Sequence, residues 1–194
     1  ISLVSWGIED SLTAWIDDDK IDKICFNLLS NAMKFTSQGG KIEISLDCLT
    51  REEASRLFKL GEKDTDTRYV KITVKDSGPG IPEDQLEKIF ERYYQLDNNV
   101  RGAYNWGTGI GLYYARSLAT IHHGWLQAAN RSDMRGAEFT LLVPASESSY
   151  AEEEKGREEG GIFVKQEALQ CHGFADETPA DDRKHSVLVV DDDT

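Results

Sequence analysis

Three side chains on one stretch are placed to do chemistry together. Asn27, Asn31 and Lys34 are spaced i, i+4, i+7, which on a helix puts them in one narrow stripe. Ile21, Ile24, Leu28, Leu29, Ala32 and Phe35 give the same stretch an apolar stripe, so the amides and the lysine lie beside a sheltered face. A sheltered amide is costly unless something bonds to it. An Asn carbonyl oxygen is a hard ligand suited to Mg²⁺, and a Lys ammonium suits a phosphate. Amides bonded to a neighbouring loop are an equally simple reading. A second group is Asp76-Ser77-Gly78-Pro79-Gly80-Ile81-Pro82. Asp76 ends an apolar alternating run, and Gly78 and Gly80 allow a tight turn and close approach to a flat ligand. A buried carboxylate needs a donor, and the exocyclic amine of adenine is one; a plain Gly-Pro turn explains the same residues. A third is Phe90-Glu91-Arg92-Tyr93-Tyr94-Gln95, whose aromatics could be core and whose Arg92 is a candidate phosphate contact. The fourth, Gly107-Thr108-Gly109-Ile110-Gly111-Leu112, opens a helical pattern. Backbone N–H groups and the positive end of the helix dipole would make an anion cradle there.

The elements that must hold these groups are mixed. A helix is predicted over 18–36 and a half-buried strand over Lys41 to Leu49, with Ile42, Ile44, Leu46 and Cys48 on one side. Short strands are expected at 3–9 and 12–16, another at Val70, Ile72 and Val74, and two more at Trp125 to Ala129 and Ala137 to Val143. The polar stretch 50–66 has room for one helical turn between Glu52 and Leu60. Residues 83–92 read as a short helix opened by Pro82. Residues 109–122 read as a longer one, with Gly124 as its C-cap. The polar residues 96–106 read as a mobile lid.

Composition bounds the function. Of 194 residues, 39% are hydrophobic and 29% charged, with net charge −13. That balance argues against nucleic-acid binding, which needs a basic face. No apolar run approaches the roughly 18–20 residues that span a bilayer, and no signal peptide is visible. Cys25, Cys48 and Cys171 are far apart and form no C-x-x-C pair, which disfavours disulfides or zinc and fits a reducing, cytoplasmic setting. Asn130-Arg131-Ser132 matches a glycosylation acceptor by chance. Residues 1–144 carry net −4 and 145–194 carry net −9. The run Ala151 to Gly161 is too charged to form a core, so 146–185 reads as an acidic flexible linker. Ser186-Val187-Leu188-Val189-Val190, ending in Asp191-Asp192-Asp193, reads as the first buried strand of a further α/β unit. The chain begins Ile1-Ser2-Leu3 without Met, as a fragment of something longer would.

Each motif alone is ambiguous, but their order is specific. An Asn/Lys helix, then Asp-x-Gly-x-Gly, then Phe with aromatics, then Gly-x-Gly-x-Gly resembles the N, G1, F and G2 boxes of sensor histidine kinases. The resemblance covers about 1–144 and rests most on Asn27-Leu28-Leu29-Ser30-Asn31-Ala32-Met33-Lys34-Phe35-Thr36. It implies an α+β fold, a two-layer α/β sandwich of the GHKL (Bergerat) type, with a mixed sheet covered on one face by three main helices. Residues 1–145 would be the ATP-binding catalytic domain. Residues 186–194 are similar to the first strand of a receiver domain, as in a hybrid sensor kinase.

By that resemblance the cofactors are ATP and Mg²⁺. Asn31 would bind the metal, with Asn27 close by, and Lys34 would touch phosphate; Asn31 and Lys34 would be the catalytic pair. Phe35 stands where an aromatic lies against adenine. Asp76 would accept the adenine N6 amine, and Gly78, Gly80 and Ile81 would floor the base pocket. Arg92 would reach phosphate. Gly107, Thr108, Gly109, Ile110, Gly111 and Leu112 would form the phosphate cradle and lid hinge. Hydrolysing relatives carry a Glu four residues before the metal-binding Asn; here that residue is Asn27, which cannot take a proton. The γ-phosphoryl would go instead to a histidine imidazole. His122, His123, His172 and His185 do not fit an acceptor pattern, so the acceptor would sit on a separate dimerisation domain of the same parent, with the receiver domain downstream. The parent would be anchored in a bacterial inner membrane, this part facing the cytoplasm without touching the lipid. A docking module that holds nucleotide without phosphotransfer is the alternative, and a hydrolysing ATPase a third.

Overall fold

The computed structural model describes residues 1–6, 14–61, 64, 66–96, 108–151, 154 and 186–187. Residues 7–13, Gly107, most of the lid stretch, residues 155–185 of the linker and the 188–194 end of the receiver-like strand lie outside the described residues.

Helix α1 (Asp18–Phe35) starts where the Asp17 side chain accepts from the Lys20 N–H, with Asp18 and Asp19 in the first turn and Lys34 in the last, signs that suit the helix dipole. Its apolar stripe buries Ile21, Ile24, Leu28 and Ala32. Strands β1 (Ser2–Trp6), β2 (Lys41–Thr50), β3 (Arg68–Asp76), β4 (Trp125–Asn130) and β5 (Ala137–Pro144) follow the alternating runs of the sequence. They join in the order β4-β5-β3-β2-β1. β1 lies parallel to β2 and the other pairs among these five are antiparallel, so the sheet is mixed. A two-residue strand, β6 (Ser186–Val187), pairs antiparallel with β1 at the sheet edge. No helix among the described residues is long and apolar enough to cross a membrane.

Register decides which side is core. Ile42 lies opposite Asp76, Ile44 opposite Val74 and Leu46 opposite Ile72. Val70, Ile72 and Val74 point with Leu126, Phe139, Leu141 and Val143 onto α1 and α3 (Gly111–Ile121), which covers the sheet beside α1. Ile24, Leu28 and Leu141 are fully buried there, worth about 1.5–3 kcal/mol per side chain. The inward face of β2 fades along the strand, and Cys48 is exposed. On the other face, Glu43, Ser45, Thr73 and Lys75 surround a polar cavity of about 240 Å³. Lys71–Asp47 (2.9 Å) and Lys75–Glu138 (3.0 Å) pair across that face.

The structure departs from the sequence reading in four places. Residues 14–16 form no strand; Trp15 N–H donates to the Ala145 carbonyl (3.0 Å) on the way into the Asp17 cap. Residues 50–66 hold a longer helix than one turn, α2 (Arg51–Leu57), closed by a reciprocal capping box between Thr50 and Glu53. α2 packs Ala54 and Phe58 on Tyr69 and Leu142, which alternate with core residues and therefore face away from α1. Residues 83–92 are not one α-helix but two 3₁₀ turns, Glu83–Gln85 and Lys88–Phe90, closed by i→i+3 bonds. Leu86, Ile89 and Phe90 seat on the core at that tighter spacing, and Glu91 turns extended. The face therefore carries two α-helices and this pair of turns. Finally, α3 ends through His123 (φ +52°) rather than Gly124 in the left-handed position. The Gly124 N–H reaches the Ala119 carbonyl and the His123 N–H that of Thr120, a Schellman pattern with a non-glycine residue.

Candidate functional site

α1 is the common wall of the candidate residues. Asn27 lies near its middle and Phe35 at its end, about 12 Å apart along the axis at 1.5 Å per residue, with Asn31 halfway. Asn27, Asn31 and Phe35 are half-buried, whereas Lys34 is exposed. The Asn27 amide donates to the Lys23 carbonyl (2.7 Å) one turn back. Its Oδ1 faces the start of α3: a Cβ on Gly111 would stand 2.7 Å from it. At the other end the Phe35 carbonyl lies under Gly78, where a Cβ would come within 2.7 Å. The Lys34 ammonium stands 5.0 Å over the Phe35 ring. The N-box-like helix thus touches both glycine loops at points too close for a further side chain.

Asp76 ends β3 with 4% of its surface exposed. Its Oδ1 accepts from the Gly78 N–H (2.7 Å) and the Ala137 N–H (3.3 Å). Oδ2 accepts from no described residue. Such a half-satisfied buried carboxylate has one acceptor face left for a ligand donor. Ile81 sends its side chain into the core, so only its backbone can floor a base.

At the third group the Tyr93 N–H donates to the Gly109 carbonyl (2.9 Å), joining the aromatic segment to the second glycine loop. Tyr93 itself has φ +65° and Gly109 φ +68°, and a Cβ on Gly109 would strike the Tyr93 backbone at 2.7 Å. Arg92 stacks its guanidinium 4.8 Å over Tyr93 at the surface. Phe90 is core, edge-on to Phe139 and under Arg116. Ile110 precedes α3 without a capping side chain, so the first N–H groups of α3 have no cap of their own. Thr108 is exposed, and Leu112 packs on the core.

Sequence reasoning missed the turn after β4. Asn130, whose sequence context matches a glycosylation acceptor, grips the Ile81 backbone instead: Oδ1 accepts from its N–H (2.7 Å) and Nδ2 donates to its carbonyl (2.7 Å). Arg131, with 2% of its side chain exposed, pairs with Glu43 (2.6 Å) and Asp133 (2.7 Å). Burial pushes the Glu43 carboxyl up, but Lys41 and Arg131 outweigh it and hold it below its ordinary value. The Asp133 carboxyl is held far below the carboxylate range by Arg131. Ser77 has a structural part of its own; its hydroxyl accepts from the Lys41 N–H (2.8 Å).

The histidines behave as structure. His122 is buried, its Nε2 accepting from the Asp17 N–H (2.9 Å). That places the ring proton on Nδ1, which donates to the Tyr150 hydroxyl (2.7 Å), itself bonded to the Pro144 carbonyl (3.1 Å). Burial depresses the His122 pKa below 6.5. Ser146 and Ser149 donate to the Asp66 carboxylate, so residues 146–150 lie bonded on the domain.

No cluster of three or more His, Cys, Asp or Glu among the described residues could hold a metal. Asn27 carries its amide oxygen beside Gly111, and Asn31 lies one turn further along α1, half-buried.

Comparison with known proteins fits this arrangement. Residues 16–147 match the model of the histidine kinase-, DNA gyrase B- and HSP90-like ATPases. The sensor histidine kinase TmoS of Ectopseudomonas mendocina is 36% identical over 141 residues, 72% of this chain and 13% of TmoS. The solved catalytic domain of histidine kinase ThkA, in a nucleotide-free form, is 26% identical with TM-score 0.55, covering 74% of this chain and 80% of that one. Full-length ShkA, solved with AMPPNP, shares the fold at 21% identity and TM-score 0.54, covering 75% of this chain and 26% of ShkA. The chain therefore spans a small part of the length of the full-length kinases it matches. With its mixed α+β sheet and the two glycine loops meeting one amide-bearing helix, the chain belongs to the histidine kinase-, DNA gyrase B- and HSP90-like ATPase family, as the GHKL-type ATP-binding module found in sensor histidine kinases.

Proposed function

We propose that this chain binds Mg-ATP and donates the γ-phosphoryl group to a histidine on a separate dimerisation domain of its parent protein. The observation that carries the reading is Asp76: a buried carboxylate with Oδ1 tied by two backbone N–H groups and Oδ2 unclaimed by any described residue. An exocyclic amine fits that vacant acceptor, which favours adenine over guanine. Gly78 and Gly80 bring the backbone close to the base, with Phe35 alongside. Asn31, Asn27, Lys34 and Arg92 would contact the phosphates, together with the Gly107–Leu112 motif that leads into α3. Asn31 would hold Mg²⁺ through its carbonyl oxygen, the metal neutralising phosphate charge. ShkA, solved in complex with AMPPNP, supports the nucleotide class.

Asn27 argues for transfer rather than hydrolysis. Its amide cannot abstract a proton from water, and one of its two N–H donors is held by the Lys23 carbonyl. His122 and His123 are engaged in helix-end contacts, His172 and His185 lie outside the described residues, and in this reading the acceptor lies on another domain. We further propose a receiver domain downstream, with the residues between Tyr150 and Ser186 as the connection, and a cytoplasmic place beneath a membrane-anchored sensor.

Calorimetry with ADP and GDP, with and without Mg²⁺, tests the site. Asp76→Asn should weaken ADP binding by about ten- to a hundredfold, the loss of a charge-assisted bond of roughly 1.5–3 kcal/mol. Labelled ATP should phosphorylate a histidine-bearing dimerisation domain in trans and leave no acid-labile phosphate on this chain alone. Unchanged ADP affinity in Asp76→Asn removes the adenine assignment; steady phosphate release would select a hydrolase instead.

A further inference from the structure

We propose that the end of β4 and the turn joining it to β5 are a positioning device for nucleobase selection, with Asn130 and Arg131 as positioning residues that fix the loop 76–81 at its two ends. The inference rests on the reading of Asp76 as the base-recognising carboxylate.

After Asp76 closes β3, residues 77–81 run to the first 3₁₀ turn with neither helix nor strand of their own. A segment with two glycines and no ladder has many backbone states to lose, so something must select one. The selecting contacts come from the last residue of β4 and the turn that follows it. At one end the Asn130 carboxamide satisfies both backbone groups of Ile81, at 2.7 Å each, as a neighbouring strand would. In the middle, Arg135 Nε donates to the Pro79 carbonyl (3.2 Å). At the other end, Arg131 Nη1 reaches the Asp76 carbonyl (3.4 Å).

Two glycines make the grip possible. Gly80 has φ +76°, and a Cβ there would stand 2.8 Å from Asn130 Oδ1. Gly136 has φ +148°, and a Cβ there would overlap the Asp76 carbonyl oxygen. Arg131 is itself locked between Glu43 on β2 and Asp133 within the turn, so its hold on Asp76 is referred to the sheet. The direction of Asp76 Oδ2, which accepts from no described residue, is thereby set from behind, by residues outside the four motifs. Asn130 acts through Ile81 and Asp76, and its effect falls on which base is chosen.

The test uses the whole chain with Asn130→Ala. ADP and GDP share ribose and phosphates, so a merely structural defect weakens both alike, whereas mispositioning the loop weakens ADP selectively. The ADP-over-GDP preference should fall about tenfold, with GDP affinity within about twofold of wild type. Amide hydrogen exchange at Ile81 should quicken, while amides in the core strands keep their protection. Asn130→Asp keeps an acceptor for the Ile81 N–H but has no donor for its carbonyl, and should fall between. An unchanged preference in folded Asn130→Ala, or a parallel loss for both nucleotides, overturns the positioning role. A wild-type chain with no preference for ADP removes the reading of Asp76 and the specificity role with it, whereas unchanged Ile81 exchange in the variant removes the grip alone.

Discussion

Substituting Gly111 by Ala separates binding from folding at one atom. The new Cβ would stand 2.7 Å from Asn27 Oδ1, inside ordinary van der Waals contact, so the Asn27 side chain must turn away. Doing so breaks its bond to the Lys23 carbonyl, a loss of about 0.5–1.5 kcal/mol. Against this, Ala is favoured over Gly in a helix by up to about 1 kcal/mol. The two nearly cancel, and the unfolding free energy should move by less than about 1 kcal/mol. Affinity should not cancel. If Asn27 Oδ1 faces the phosphates or their metal, its removal forfeits a bond to a charged group, roughly 1.5–3 kcal/mol or ten- to a hundredfold in Kd. Calorimetry with Mg-ADP beside urea unfolding reads both numbers on one sample. Asn27→Ala should show a similar affinity loss, and the double variant should lose little more than either single one. A Gly111→Ala chain that binds Mg-ADP within about twofold of wild type refutes the placing of Asn27 at the phosphate end.

The remaining expectations concern stability. Leu28→Ala, at a fully buried position between α1 and the sheet, should cost about 2–5 kcal/mol in urea unfolding while leaving Asp76 in place; a loss under about 1 kcal/mol would contradict the core assignment. His122 is neutral when folded and has its pKa depressed by burial, so the unfolded chain binds the proton more readily. Its contribution is complete above pH 6.5 and lost as pH falls from there through the folded value. Unfolding free energy should decline over that window and decline less in His122→Gln; an equal slope in both would exclude His122 as the cause.

What the sequence disclosed and what it hid divide by range. The strands over 41–49 and 70–74 and the helix over 18–36 are legible because side-chain period is a local property, and the core face follows from it. The helix read at 83–92 misleads for a physical reason: Leu86, Ile89 and Phe90 satisfy a helical stripe, yet the core accepts them only from 3₁₀ turns. Thr50 and Glu53 carry a capping-box spacing that announces α2, in a stretch whose polarity masks it. His123 takes the left-handed position expected of Gly124 because Gly124 itself packs where a Cβ would meet the Leu142 carbonyl at 2.5 Å. Asn130 is hidden for a different reason. Its partner, Ile81, is 49 residues away, and no local pattern announces a side chain that substitutes for a strand. Gly107 and residues 97–106 of the lid stretch lie outside the described residues, while Gly109 and Gly111 of the same motif meet Tyr93 and Asn27.

A single rod touching both glycine loops makes α1 a gauge. Phe35 at one mark and Asn27 at the other are joined by unbroken helix, and neither can shift without the other. In the function proposed above, ligand span, and not base or phosphate alone, would then be what α1 measures. A nucleoside monophosphate would then meet one mark and miss the second, so trimming phosphates should cost more than the charge they carry.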